Sequence, residues 1–181
     1  MKKTNKKNTR VLSGPEIKKC LERFCKEIFR RHQDPGQVAF IGIRTRGIHL
    51  ARRLGAMMKK LGGKEIPLGE MDITLYRDDL NTLLPGGKVD NTRIPFDITN
   101  KTIILVDDVL NTGRTVRAAV DHLIDLGRPK AIHLAVLIDR GGRELPIAAE
   151  YVGKKVNLPA GGDVKVKLKE VDKVDEVVIT R

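Results

Sequence analysis

With 181 residues, 40% of them apolar, the chain is long enough to bury a core of its own. No apolar run approaches the roughly 18 residues of a membrane span, and the charged Met1–Arg10 segment lacks the hydrophobic stretch of a secretory leader. A cytoplasmic protein without a membrane partner is expected. A net charge of +12 favours phosphorylated or polyanionic partners, while the absence of Trp and 3% aromatics leave few stacking platforms for unpaired bases.

Five basic residues fall within the first ten positions. Residues 1–11 are therefore expected to form a disordered basic tail, and residues 12–181 a single domain. Ser13-Gly-Pro15-Glu16 reads as a helix start, with a capping serine, an early proline and an early acid. Ile17, Cys20, Leu21, Phe24, Ile28 and Phe29 then recur at helical spacing. Cys20 and Cys25 lie about 500° apart around that helix, too far to bridge, and are expected as reduced thiols. Val38 to Gly42 reads as a buried strand.

The turn Gly42-Ile-Arg-Thr-Arg-Gly47 leads into a second helix carrying Ile48, Ala51, Leu54 and Met58 on one face. Its backbone N–H groups with Arg44 and Arg46 suit an anion; an ordinary polar strand-to-helix turn has the same composition. Glu70 to Tyr76 alternates as a strand. Residues 77–95 lack periodicity and are expected as a lid loop, in which Arg77 would meet an anionic ligand, or as a solvated hairpin loop.

Lys101-Thr-Ile-Ile-Leu-Val-Asp-Asp-Val-Leu-Asn-Thr-Gly-Arg-Thr115 carries the strongest signal. An apolar strand delivers two adjacent carboxylates, Asp107 and Asp108, and then a loop, Asn111-Thr112-Gly113-Arg114-Thr115, at a helix start. The helix N-terminus and threonine hydroxyls hold a phosphate, and the acids accept hydrogen bonds from ribose hydroxyls. That is the ligand position of an open α/β sheet. The plainer reading is a strand–loop–helix turn with an acidic cap. In the helix that follows, Val116, Ala119, Val120, Leu123 and Leu126 mark the buried face, and Gly127-Arg-Pro129 ends it.

Ala131 to Ile138 is another buried strand. Asp139-Arg-Gly-Gly-Arg-Glu-Leu-Pro146 follows it as a base-recognition segment, or with Asp139 as a simple turn cap. Short strands are expected near 150–152, 164–169 and 176–180. The histidines show no ligand spacing, and His49 and His122 read as helix-surface residues. The alternation of helix and strand gives an α/β fold with a largely parallel central sheet flanked by helices.

Read together, Gly42–Ile48, Gly69–Asp79, Asp107–Arg117, Leu126–Pro129 and Leu137–Ile147 resemble, in order, the bacterial pyrimidine regulatory proteins of the type I phosphoribosyltransferase fold. The resemblance spans about residues 12–181. It implies transfer of ribose phosphate from PRPP to uracil, giving UMP and pyrophosphate, with Mg²⁺ carried by PRPP rather than held directly by protein. It also implies UMP- or UTP-responsive binding of pyrimidine-operon leader mRNA with transcription attenuation, and a homodimer or larger homo-oligomer.

By the same resemblance Asp107 and Asp108 contact ribose, residues 111–115 the 5′-phosphate, and Thr45 and Arg46 the pyrophosphate, joined by Arg77. Asp139, Arg140 and Val156 lie against uracil, and Arg143 meets RNA. Asn111 stands where relatives carry an aromatic residue and Gly142 where a histidine is usual. Ala148 stands in place of an arginine. Glu22 and Lys26 replace a Thr and a His of the RNA-binding surface. Two further readings follow from these departures: a regulator with vestigial catalysis, or an enzyme that has lost its RNA role. A purine-using transferase is a third, against which the 139–146 segment argues.

Overall fold

The computed structural model describes residues 8–32, 34–73, 91–158 and 162–180. Its centre is a five-stranded parallel sheet, ordered β3 (Leu68–Met71), β2 (Val38–Ile43), β4 (Thr102–Leu110), β5 (Ala131–Asp139) and β6 (Tyr151–Lys155). Helices α1 (Gly14–Arg31) and α2 (Arg46–Gly62) cover one face, and α3 (Arg114–Leu126) the other. A second, antiparallel sheet of β1 (Asn8–Ser13), β8 (Glu176–Thr180) and β7 (Asp163–Lys167), with the short helix α4 (Lys169–Asp172), forms a hood.

The central strands are apolar on both sides because both faces are covered. Val38 and Phe40 of β2 and Ile104 and Val106 of β4 pack toward α1 and α2. Their neighbours Ala39, Ile41, Ile103 and Leu105 pack toward α3, as the period of two requires. Helix α1 starts where its sequence signals it. Ser13 donates from its N–H (2.8 Å) and its hydroxyl (2.6 Å) to the Glu16 carboxylate, and its apolar stripe buries Ile17, Leu21, Phe24 and Ile28.

Three expectations are corrected. Residues 8–11, assigned to the disordered tail, belong to β1, where Asn8 lies opposite Thr180 of β8. The buried face of α3 is turned by part of a residue step: His122 is buried, and Leu126 is 50% exposed. Burial of Ala118 and His122 beside Val116, Ala119 and Leu123 shows the stripe turning away from Leu126. The strand expected over 70–76 runs from Leu68 to Met71; residues 72 and 73 are not strand, and 74–76 lie outside the described residues. Cys20 and Cys25 are both free thiols. Among the described residues, no helix is long and apolar enough to cross a membrane.

Candidate active site

Four chain segments meet at the carboxyl edge of the parallel sheet. Pairing of β2 with β4 ends at Gly42 opposite Val106. Strand β4 runs on to Leu110, so Asp107 and Asp108 are its first residues beyond the last pair with β2. The start of α2 fills the corner beside them. A Cβ on Gly47 would lie 2.4 Å from the Val106 carbonyl and 3.2 Å from Asp107 Cα, and one on Gly42 2.5 Å from Ile48 Cα. Only glycine permits this approach, and the Gly42–Gly47 turn is thereby pressed against the acids.

The two acids are not equivalent. Strand alternation sends them to opposite faces. Asp108 lines a cleft of about 410 Å³ with Arg46, Lys165, Lys167, Asp172, Val164 and Val166. Asp107, on the α3 side, is 7% exposed and accepts the Asp108 N–H at 2.8 Å. Burial raises the Asp108 carboxyl above its ordinary value; the hydrogen bond with Asp107 and the Arg46 charge oppose that rise.

Arg46 is held in the same cleft by the hood. Its Nη2 donates to both carboxylate oxygens of Asp172 (2.9 and 3.1 Å) and its Nε to Oδ2 (3.2 Å). The hydrogen bond from Arg46 holds the Asp172 carboxyl below its usual range against the cost of burial. Arg44 turns the other way, its Nη1 3.6 Å from Asp72 Oδ2. Thr45 is exposed just before α2. Arg77 lies outside the described residues.

The loop after β4 is shaped by Gly113, at φ +93°, a left-handed conformation that lets α3 begin at Arg114. The first N–H groups of that helix lie beyond the reach of intrahelical carbonyls and face the loop. The Arg114 N–H donates to Thr112 Oγ1 at 3.3 Å, and its side chain pairs with Glu144 at 2.7 Å. The Thr112 carbonyl takes the N–H groups of Glu144 (3.0 Å) and Leu145 (3.2 Å), so the segment after β5 buttresses the loop.

Asp139 ends β5 opposite both Leu110 and Lys155. Its carbonyl accepts the Val156 N–H at 2.8 Å, which brings two of the expected base-binding residues together. Arg140 reaches Gly162 O (2.8 Å) and Asp163 Oδ1 (3.1 Å) in the hood. Burial opposes the charge on Asp139, but the Gly141 N–H and Arg143 outweigh it and keep its carboxyl below the ordinary value.

Arg143 departs from its expected role. Its guanidinium donates to Asp139 Oδ1 (2.6 Å) and to the carbonyls of Asn111 (2.7 Å), Ile147 (3.0 Å), Gly141 (3.2 Å) and Leu110 (3.4 Å). It is a half-buried staple between the ends of β4 and β5. Asp172 carries no local sequence signal, and Glu144, inside the expected base-recognition segment, was given no role of its own. Their arginine partners are 126 and 30 residues away.

A strand-delivered acid pair between a helix-start phosphate loop and an arginine turn defines a phosphoribosyl-binding centre. The sequence pattern of the phosphoribosyl transferase domain matches residues 7–172. Bifunctional protein PyrR of Chloroflexus aurantiacus is 54% identical over 94% of each chain, and that of Thermus thermophilus 53% over 92% of each. The chain thus belongs to the phosphoribosyltransferase family, within its PyrR group. Solved hypoxanthine phosphoribosyltransferases share the fold: that of Staphylococcus aureus with a TM-score of 0.71 at 18% identity (96% and 92% of the two chains), and that of Trypanosoma cruzi with 0.73 at 15% (96% of each).

Proposed function

We propose that this protein transfers the 5-phosphoribosyl group of PRPP to uracil, releasing pyrophosphate and UMP. It also acts, through leader mRNA and under UMP or UTP control, on expression of pyrimidine-biosynthesis genes. The observation that carries the catalytic half is Asp107 and Asp108 near the carboxyl end of β4, between the Asn111–Thr115 loop and Arg46.

In the reaction the bond from ribose C1 to pyrophosphate oxygen breaks, the electron pair leaving with pyrophosphate. A bond from C1 to a uracil ring nitrogen forms, and that nitrogen's proton passes to solvent. Positive charge develops on the ribose at the transition state, where the carboxylates of Asp107 and Asp108 orient the ribose hydroxyls and stabilise it electrostatically. The Asn111–Thr115 loop and the start of α3 fix the 5′-phosphate. Thr45 and Arg46, with Arg77, hold pyrophosphate. Asp139, Arg140 and Val156 form the wall against uracil. Placement and fixed charge suffice, without a general base.

The acids suit Mg²⁺, which favours oxygen ligands and one or two carboxylates together with substrate phosphates. Bound with the phosphates, Mg²⁺ supplies neutralisation of the leaving pyrophosphate.

The regulatory half is supported by the relatives' description as bifunctional and by the exposed cations Lys18, Lys19, Lys26 and Arg30 of α1. With Arg143 engaged internally, phosphate contacts would come from such surface lysines. Exposed Ile124 and Leu126 on α3 favour self-association into a homodimer or larger assembly.

The test is product formation from PRPP and Mg²⁺ with uracil, cytosine or hypoxanthine offered separately. UMP from uracil alone supports the reading, and a nucleotide formed only from hypoxanthine overturns it. Leader RNA titrated with and without UMP tests regulation: binding that ignores UMP counts against it.

A further inference from the structure

Arg46 and Arg53 lie seven residues apart on α2, nearly two full turns, and so share one stripe of the helix. Both reach the hood. Arg53 takes the two carboxylate oxygens of Glu170 (2.8 and 2.6 Å) and Asp175 Oδ1 (2.7 Å). Arg46 takes Asp172 as described. The Arg53 cluster faces no substrate group and reads as the anchor of the hood. The Arg46 pair is different, because it occupies the cleft with Asp108.

The Nε–Nη2 edge of a planar guanidinium fits one bidentate carboxylate or phosphate at a time. In this structure that edge is filled by Asp172. We infer that Asp172 is a positioning residue that competes with pyrophosphate for Arg46, so that PRPP binds by displacing an internal carboxylate and departing pyrophosphate is displaced by it in turn. This rests on the placement of pyrophosphate at Arg46. The internal anion lowers the population of binding-competent Arg46 and weakens pyrophosphate and PRPP by the same factor. UMP carries no pyrophosphate and is indifferent to the exchange. Asp172 is suited to both states, since its Oδ2 also accepts the Leu168 N–H at 2.9 Å. It keeps a partner when Arg46 leaves.

The experiment is calorimetric titration of the full chain with Mg²⁺-pyrophosphate and, separately, with UMP. Asp172→Asn removes the charge and keeps an oxygen for Leu168. It is expected to bind pyrophosphate about two- to fivefold more tightly, the scale of a partly exposed ion pair, with UMP affinity unchanged. Asp172→Glu, which restores the charge, is expected near the native value. Asp172→Ser is a second charge-free variant should the asparagine unfold the hood. In an Arg46→Ala background the gain should vanish. Pyrophosphate affinity that falls with Arg46→Ala but does not rise with Asp172→Asn or Asp172→Ser overturns the competition alone. Affinity untouched by Arg46→Ala overturns it together with the placement of pyrophosphate at Arg46.

Discussion

Asn111 and Gly142 face each other across the mouth of the phosphate loop. A Cβ on Gly142 would sit 2.9 Å from Asn111 Oδ1, and Gly142 is held at φ +71°. These are two of the positions where the chain departs from the pattern it resembles, and the structure joins them as one adjustment. A side chain at 142 would meet both left-handed strain and the asparagine.

Gly142→Ala is therefore expected to cost about 1–2 kcal/mol in denaturant unfolding, from the left-handed backbone and the contact together. Placed in an Asn111→Ala background, the same change should cost less, because only the backbone strain remains. Equal costs in the two backgrounds would mean that the two positions are independent.

Arg143 makes five internal hydrogen bonds that tie Leu110 and Asn111 to Asp139, Gly141 and Ile147. Arg143→Ala leaves the Asp139 carboxylate and several carbonyls without these donors. A loss of about 2–3 kcal/mol is expected from unfolding curves. The salt dependence of RNA binding is expected to stay as in the native chain, since this guanidinium is engaged by internal acceptors.

His32 provides a pH dependence. Its Nε2 is buried without a hydrogen-bond partner among the described residues. Burial lowers its pKa, and the nearby positive groups His133, Arg31 and Lys130 lower it further. Glu150 bridges His133 and Arg31. A histidine with a depressed folded pKa costs nothing while both states are neutral. Below about 6.5 the unfolded chain binds the proton first and stability falls. Thermal unfolding should show Tm dropping between pH 7 and 5, and His32→Phe should flatten that drop.

The parts of the fold carried by local pattern were legible. The run Ile103–Val106 reads as a buried strand, and it is one. The Ser13–Glu16 signal marks the start of α1 correctly. What escaped depends on distant partners. Residues 8–11 look like tail because they follow directly on the lysine-rich first seven positions, yet their strand is made by β8, far along the chain. Asp172 meets Arg46 only through the packing of the hood on α2, and no spacing near either residue announces it. Arg143 looks like a free cation until the ends of β4 and β5 lie side by side. The burial of His122 was missed because alanine at 118 and 119 leaves the phase of the helix weakly marked.

The most direct test of the central claim is the rate of UMP formation from uracil, PRPP and Mg²⁺ by the native chain and by Asp107→Asn/Asp108→Asn. Steady turnover in the native chain that falls at least about a hundredfold in the double variant, with its Tm retained, is the predicted result; removing comparable preorganised electrostatic groups costs that much. Undiminished turnover in the double variant, or none in the native chain, would contradict the account.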